Sequence, residues 1–211
     1  MKNNPLKLKI HGNDNPDSIK TYKENSLKTV YIIDFEKIDN GRMECYELFP
    51  GIQLTLIEVH AFKFDEFGIN HCRKGRFECY FNGKYQYMGE GDLVAVTESA
   101  KDQYFGFPLG FYEGIEIFID VKKAKDSLKD ILGYSFDLNE LYNKIAENNY
   151  FSLIKATKEI EHIFDEMYNV DEKIKETYFK LKLLKLFLFL NITPLNNNSD
   201  NRSQVSKNRC K

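Results

Sequence analysis

The chain has 211 residues, of which 29% are charged, and a formal net charge of -2. This length suits one medium-sized domain with added helices. The balanced charge excludes a global basic field that would attract nucleic acid, so any DNA contact has to be local or lie outside this chain.

The first 26 residues are polar and contain Pro5 and Pro16. We expect an N-terminal arm, residues 1–26, with little structure of its own. It lacks the apolar core of roughly 7 to 15 residues that a signal peptide needs. The four cysteines have no C-x-x-C spacing, which excludes a zinc ribbon and indicates reduced thiols. Together these features predict a cytoplasmic protein.

Residues 27–120 consist mainly of short apolar segments that predict β-strands. The pairs Asn40-Gly41 and Pro50-Gly51 are turn formers, and they separate the first segments, 30–35, 43–49 and 52–59. With the segments that follow, the chain offers about eight short strands, at the spacing of an antiparallel sandwich or barrel.

The centre of this β region contains a hairpin pattern. Asn82-Gly83 readily takes the positive φ values of a tight turn, and it separates the alternating segments 77–81 and 84–88. A glycine-flanked turn, residues 89–92, then leads into another short β segment, 93–97. This succession of strands and turns is typical of a small antiparallel domain.

After Asp120 the apolar period becomes helical, and residues 121–193 predict four helices. The first ends near Gly133, and Asp137 with Glu140 forms a capping-box pattern that starts the second. The fourth runs from about residue 172 to 191. The third presents one apolar face, made by Leu153, Ala156, Ile160, Ile163 and Met167.

The fourth predicted helix has an apolar arc that is too wide for a surface helix with one packing neighbour. Two arrangements remain open: a helical hairpin packed within the chain, and a symmetric dimer contact made by the last two helices. Its most apolar stretch, 181–190, is too short for the ~20 residues of a membrane span, so we expect no membrane partner. The candidate dimer residues are Leu181, Leu184, Lys185 and Leu188.

Several short motifs resemble the effector-binding domain of AraC-type transcription regulators. The resemblance covers roughly residues 25–190. The matching residues are Asn70, His71, Cys72, Arg73, Gly75, Arg76 and Glu78, then residues 89–93, Phe107-Pro108 and Tyr112-x-Gly114-Ile115. The resemblance implies an α+β fold, in which a cupin-like antiparallel β-barrel (a double-stranded β-helix) is followed by a C-terminal α-helical hairpin that serves dimerisation.

In that family, the connection to two helix-turn-helix units begins where residues 194–211 lie in this chain. Those residues have no periodic apolar pattern and predict a linker or disordered tail. The sequence shows no base-reading helix-turn-helix pattern. We therefore expect DNA contact only through a C-terminal domain that this chain lacks.

Cupin-like barrels are commonly metal enzymes, and His71, Arg73 and Glu78 occupy the analogous ligand positions. Strand alternation puts His71 and Arg73 on one face, where the permanent cation of Arg73 would lie beside the metal. Residues 97–107, where a further histidine would be expected, contain none. Too few ligands remain, so we expect no metal, no cofactor and no catalytic residues.

The same three residues have a second interpretation, as the wall of a ligand pocket. If they point into the barrel, Arg73 and Glu78 neutralise each other and His71 hydrogen-bonds a small effector. The alternative is structural, with a weak ion pair at the barrel rim and ordinary aromatic packing in the sheet. The same pocket could be lined by aromatic rings, those of Tyr87, Tyr104 and Tyr112.

The function predicted from the sequence is therefore effector sensing and dimerisation in an AraC-type regulator. The expected partners are a small-molecule effector and a second copy of the chain. Two alternatives remain, a metal-dependent cupin-like enzyme and a partner-binding module without a ligand.

Overall fold

An antiparallel β-sheet region followed by α-helices is the architecture of the computed structural model. The structure describes residues 18–35, 38–59, 67–81, 84–97, 104–147 and 151–194. The strands are β1 (Ser18–Lys23), β2 (Lys28–Phe35), β3 (Ile38–Phe49), β4 (Ile52–Val59), β5 (Phe67–Gly75), β6 (Phe77–Phe81), β7 (Lys84–Met88), β8 (Leu93–Val96), β9 (Tyr104–Gly106), β10 (Tyr112–Ile119) and β11 (Phe151–Ile154). The helices are α1 (Val121–Leu132), α2 (Leu138–Glu147), α3 (Lys158–Tyr168) and α4 (Lys175–Ile192). The predicted α+β class is confirmed at the coarser level of antiparallel sheet plus helices.

Two antiparallel sheets organise the strands. The larger has eight strands in the order β1-β2-β3-β4-β10-β5-β8-β11, and the smaller has three in the order β7-β6-β9. Strand β10 comes late in the sequence but inserts between β4 and β5, so it has hydrogen-bonded neighbours on both sides. The centre of the larger sheet is therefore formed by β4, β10 and β5.

The central strands of the larger sheet are buried on both faces. One face, which we name the helical face, shares a hydrophobic core with α3 and α4, to which Leu54, Ile117 and Phe164 belong. The other, the small-sheet face, shares a second core with the smaller sheet, to which Ile57 and Met88 belong. Because burial of a large apolar side chain stabilises a fold by roughly 1.5–3 kcal/mol, both layers contribute to stability.

The turn predicted at Pro50-Gly51 is confirmed between β3 and β4. Gly51 has a φ of 76°, a left-handed conformation that favours glycine. A side chain would also be crowded there, since a Cβ on Gly51 would lie 2.7 Å from the Lys123 Cβ.

The turn predicted at Asn40-Gly41 is wrong. Gly41 lies inside β3, where it pairs with Ile33 on β2. Phe35 pairs with Ile38, so the chain has already reversed before it reaches Asn40-Gly41. The intrinsic turn preference of the dipeptide is overridden by strand pairing with β2.

The predicted central hairpin is confirmed by the pairing of β6 with β7, in which Phe81 lies opposite Lys84. Its turn residues, Asn82-Gly83, lie outside the described residues. The following turn is confirmed too, because the Asp92 N–H donates to the Gly89 carbonyl at 3.0 Å. The Asp92 carboxylate in turn accepts from the Gly89 N–H at 3.0 Å, which closes the turn from both sides.

Three strands occur where the sequence predicted none, namely β1, β9 and β11. Residues 18–23 form β1 and pair with β2, although the segment 1–26 was expected to have little structure. Residues 151–154 form β11 and pair with β8, so Leu153 belongs to a strand rather than to the third helix. A short apolar run does not distinguish strand from helix by its period, and here the outer edge of β8 offers pairing partners.

Helices α1 and α3 begin at side-chain caps. The Asp120 carboxylate accepts from the Lys123 N–H at 3.2 Å, and the Thr157 hydroxyl accepts from the Ile160 N–H at 3.3 Å. Within the described part of the chain, no helix has both the length and the apolar composition needed to span a membrane. Helix α4 has one buried side, which consists of Phe179, Leu183, Leu186, Phe187 and Leu190.

Candidate functional site

A row of polar side chains crosses the small-sheet face at the centre of the larger sheet. Glu116 on β10 pairs with Thr55 on β4 and with Asn70 on β5, and Thr55 pairs with Cys45 on β3. Residues directly opposite each other on neighbouring strands project to the same face. The register thus places Cys45, Thr55, Glu116 and Asn70 side by side, and we call these four residues the polar row.

Three members of the polar row have hydrogen-bond partners. The Thr55 hydroxyl donates to the Cys45 Sγ at 3.4 Å. The Tyr112 hydroxyl donates to the Asn70 Oδ1. These bonds fix the positions of the side chains on either side of Glu116.

Glu116 is the exception. Its side chain is 0% exposed, and neither carboxyl oxygen has a hydrogen-bond partner among the described residues. Burial raises the pKa of Glu116 well above its ordinary value, because the charged form loses water and gains no partner. A buried polar group without a partner costs roughly 1–3 kcal/mol. These two features, burial and a perturbed pKa, make Glu116 a candidate residue for a functional site.

His71 and Arg73 lie on the opposite face of the sheet, the helical face. The His71 ring stacks on Phe164 of α3 with 3.9 Å between ring centroids, and the Arg73 guanidinium lies 4.5 Å from the Tyr168 ring centroid. The two residues share a face, as alternation predicts, and helix α3 covers that face. Cys72, between them, belongs to the core of the small-sheet face.

His71 has the environment of a structural histidine. It is 5% exposed, and its Nδ1 lies 3.0 Å from the Tyr168 hydroxyl oxygen. Burial lowers the pKa of His71 to about 4, although the Asp92 carboxylate acts in the opposite direction. The imidazole is therefore neutral at neutral pH and joins β5 to the end of α3.

Arg73 lines a cleft of about 210 Å³ on the helical face. Its guanidinium pairs with Glu113 at 2.5 Å, and Lys74 pairs with the same carboxylate at 2.9 Å. Burial would raise the pKa of Glu113, but the hydrogen bonds and charges of Lys74 and Arg73 lower it overall. Further charged residues line the cleft, namely Arg42, Glu44, Glu58 and Lys175. Its cations already have carboxylate partners, which leaves little free charge for a ligand.

Glu78 lies on the smaller sheet and pairs with Arg76 at 2.5 Å. The predicted ion pair between Arg73 and Glu78 is therefore wrong. Strand pairing across the larger sheet brings Glu113 to Arg73 instead. The Arg76 guanidinium also lies 4.2 Å from the Tyr87 ring centroid, so Glu78 and Tyr87 belong to a separate cluster around Arg76.

Two further tyrosines were predicted as ligand residues. Tyr112 is 4% exposed and lies in the core of the small-sheet face, where burial raises its pKa well above the ordinary value. Tyr104 pairs through its backbone with Tyr80 in the smaller sheet, and its side chain lies outside the described residues. Tyr112 contacts the polar row through the hydrogen bond that its hydroxyl donates to Asn70.

Glu116 was not predicted from the sequence. Its segment, residues 114–119, alternates in a way that predicts one polar, solvated face. The available signal was weak: a single glutamate between Ile115 and Ile117 in a short apolar strand. Among the residues that the structure describes, no group of three or more His, Cys, Asp or Glu side chains is arranged to hold a metal ion.

Ion pairs fasten the start of α4 to the larger sheet. Lys28 on β2 is 7% exposed and pairs with Glu172 at 2.9 Å and with Glu44 at 3.4 Å. Burial would raise the pKa of Glu44, but hydrogen bonds from Arg42 and Tyr46 and the charge of Lys28 lower it to about 2. The approach to α4 is thereby held against strands β2 and β3.

The predicted dimer residues lie on α4. Leu181 and Leu188 are 59% and 39% exposed, Lys185 is exposed, and Leu184 is half-buried. Ile174, just before α4, is also exposed. Ile174, Leu181 and Leu188 recur every seven residues, a spacing that keeps side chains on one side of a helix over two turns.

No protein-family model matches the chain, and no curated protein matches it. Among solved structures, a cupin 2 conserved barrel domain protein from Salinispora arenicola CNS-205 is 16% identical, with 38% of this chain and 76% of that chain covered and a TM-score of 0.32. An apo variant of ToxT from Vibrio cholerae strain SCE256 is 13% identical, with 67% and 56% covered and a TM-score of 0.44.

Wild-type ToxT from the same strain, with an unsaturated fatty acid bound, is 13% identical, with 74% of this chain and 61% of that chain covered and a TM-score of 0.44. This chain therefore spans 56% to 61% of the length of these ToxT chains.

Proposed function

We propose that this chain is the effector-sensing and dimerisation domain of an AraC-type transcription regulator. A small molecule binds on the small-sheet face, where Glu116 is its anchoring group. The observation that carries the proposal is the fully buried Glu116 carboxyl, whose oxygens have no partner among the described residues. A few polar groups in an otherwise apolar wall are the usual composition of a small-molecule site. The role is binding, without a catalytic step.

The proposed organisation follows the sequence boundaries. Residues 27–120 form a cupin-like barrel, a closed double-stranded β-helix, and residues 121–193 form a helical dimerisation region that contains the hairpin of α3 and α4. Residues 1–26 are an arm that joins the larger sheet through β1, and residues 194–211 connect to a DNA-binding domain elsewhere in the protein. The feature that supports this layered β region is the burial of both faces of the central strands, one under the helices and the other under the smaller sheet.

A chain of contacts supports communication from the polar row to the helices. The Tyr112 hydroxyl, which donates to Asn70, lies 3.3 Å from the His71 carbonyl oxygen. The His71 side chain then contacts Tyr168 at the end of α3, and α3 contacts α4. Ligand binding at Glu116 would act by favouring one of two arrangements of these helices.

A ligand screen by thermal unfolding tests the proposal. We expect at least one small molecule to raise the melting temperature of the wild-type protein, since a ligand that binds the folded state stabilises it by about 2.7 kcal/mol at a concentration of 100 times its Kd. The same molecule should have little effect on Glu116→Gln, which keeps the side-chain shape but cannot carry a charge.

Glu58→Gln is the matched control for this screen. Glu58 lies on β4, the strand that carries Thr55 of the polar row. Its carboxylate is exposed on the helical face, whereas the polar row lies on the small-sheet face. The control should respond to the ligand as the wild type does. A ligand that stabilises wild type and Glu116→Gln equally would remove Glu116 from the site.

The second part of the proposal is a symmetric dimer formed through α4. An exposed apolar stripe, Ile174, Leu181 and Leu188, is the feature that supports it, because a two-fold contact lets one helix cover the same stripe on its partner. Leu188→Glu should convert the dimer to a monomer, since it places a charge in the apolar contact. Light scattering at several protein concentrations measures this change.

Lys125→Glu is the control for the dimer experiment, because Lys125 is exposed on α1 and lies outside the proposed contact. It should leave the molar mass unchanged. A wild-type protein that is monomeric at the highest concentration tested would contradict the dimer proposal.

A further inference from the structure

Among the residues that the structure describes, no positive charge acts on Glu116, because burial is the only cause of its pKa shift. The titratable groups that face it are the Cys45 thiol on β3, the Cys72 thiol on β5 and the Tyr112 hydroxyl on its own strand. Burial raises the pKa of Cys45 to about 11 and of Cys72 to about 12, so both thiols are neutral. Thr55 and Asn70 do not titrate, and Phe77 and Met88 of the smaller sheet, in the same core, are apolar.

Side-chain hydrogen bonds reach three members of the polar row, Cys45, Thr55 and Asn70, but not Glu116. Thr55 donates to Cys45, and Tyr112 donates to Asn70. Both Glu116 oxygens remain without a donor among the described residues. A ligand that completes the row supplies N–H or O–H donors to these oxygens, and charge-assisted hydrogen bonds between a cationic donor and a carboxylate are roughly twice as strong as neutral ones.

We propose that the ligand of this site carries a primary amine or an amidine, which donates to both Glu116 oxygens, while its apolar part packs against Met43, Ile57 and Val94. This inference rests on the proposed function and specifies the ligand class. An amidine presents two parallel N–H groups that match the two carboxyl oxygens, and an ammonium group offers three N–H donors. The three apolar residues belong to the core of the same face.

The proposed binding step releases a proton. In the ligand-free protein the Glu116 carboxyl holds a proton, because burial without a partner disfavours its charged form. When the cationic group arrives, the Glu116 O–H bond breaks, the proton leaves to solvent, and the resulting carboxylate pairs with the ligand. Ligand binding is therefore coupled to release of the Glu116 proton.

Calorimetry with matched probes tests the ligand class. We choose hexylamine and benzamidine as cationic probes, hexanol as a neutral probe, and hexanoate and oleate as anionic probes. Titrations in two buffers of different ionisation enthalpy report the protons released. We expect the cationic probes to bind about tenfold more tightly than hexanol, with release of about one proton, and we expect both effects to disappear in Glu116→Gln.

Two variants keep the test decisive. Glu116→Asp retains a carboxyl and should retain the preference for hexylamine over hexanol, with weaker affinity. Glu58→Gln should behave as the wild type does. Melting temperatures of the three variants show whether each is folded before it is titrated.

The remaining outcomes contradict the ligand class in distinguishable ways. If hexanol or oleate binds more tightly than the amines and Glu116→Gln abolishes that binding, the amine proposal is wrong and the effector site at Glu116 stands. If amines bind equally well to Glu116→Gln, the amine proposal is wrong. If no cationic probe binds but the broader screen finds a Glu116-dependent ligand, only the proposed ligand class is wrong. If the broader screen finds no ligand at all, the proposed function is contradicted as well.

Discussion

Replacing Glu116 with methionine is expected to raise the free energy of unfolding of the ligand-free protein by about 1–3 kcal/mol, the cost of a buried polar group without a partner. Methionine is flexible and of similar length, so it fills the same space in the apolar core of the small-sheet face. Urea unfolding of wild type and Glu116→Met at neutral pH measures the difference. The variant should at the same time lose ligand binding, because its anchoring carboxyl is gone.

The pH dependence gives this prediction a second readout. Because the folded-state pKa of Glu116 is raised above the ordinary value of 4.5, the folded state binds more protons than the unfolded state. The contribution of Glu116 to the free energy of unfolding is therefore fully present below pH 4.5 and is lost as the pH rises. The stability advantage of Glu116→Met should grow from acidic to neutral pH. Glu58→Met, on the exposed carboxylate of β4, should change stability by less than about 0.5 kcal/mol.

A destabilised Glu116→Met would contradict the account. It would mean that the Glu116 carboxyl has hydrogen-bond partners in the native protein and that the glutamate stabilises the fold. The same conclusion would follow if the stability difference between Glu116→Met and wild type were independent of pH.

The second large effect concerns His71. Its pKa is lowered from 6.5 to about 4 in the folded protein, so the folded state binds fewer protons than the unfolded state. Stability is therefore complete above pH 6.5 and falls as the pH drops towards 4. The total loss is about 3 kcal/mol, because a tenfold change in proton affinity corresponds to about 1.4 kcal/mol.

His71→Phe removes this pH dependence, because phenylalanine stacks on Phe164 without titrating. Urea unfolding between neutral pH and acidic pH measures the slope for both proteins. Tyr168→Phe is the matched control: it removes the partner of the imidazole, keeps the titrating ring buried and should retain the acid-dependent loss. An equal slope in wild type and His71→Phe would show that another group causes the loss.

Much of the sheet could be predicted from local signals. The hairpin of β6 and β7 follows from two alternating segments around a tight-turn dipeptide, and the Pro50-Gly51 turn follows from a residue pair with few other uses. The strand β11 could not be predicted in the same way. Its four residues have no period of their own, and their conformation is set by pairing with β8.

The sequence of β5 does not show which of its two faces is covered by helices. Alternation predicts that His71 and Arg73 share a side, but residues 67–72 are all buried, so no polar side marks the solvent. The face covered by α3 depends on packing that a sequence pattern does not contain. The partner of Arg73 was missed for a related reason, since Glu113 is distant in sequence and reaches Arg73 only because β10 inserts beside β5.

Glu116 was missed because its strand resembles a half-exposed one. In an ordinary antiparallel sheet a glutamate between two isoleucines faces water. Here the late strand β10 occupies the middle of a sheet that is covered on both faces. The same insertion that hides the glutamate from pattern analysis also removes it from solvent, and this makes it the most informative residue in the chain.

The most direct test of the central claim is a crystal structure of the wild-type protein with the tightest ligand from the screen. We expect electron density for the ligand on the small-sheet face, with its donor atoms within hydrogen-bond distance of the Glu116 carboxylate. Density in the cleft beside Arg73 on the helical face, with Glu116 still without a partner, would contradict the claim.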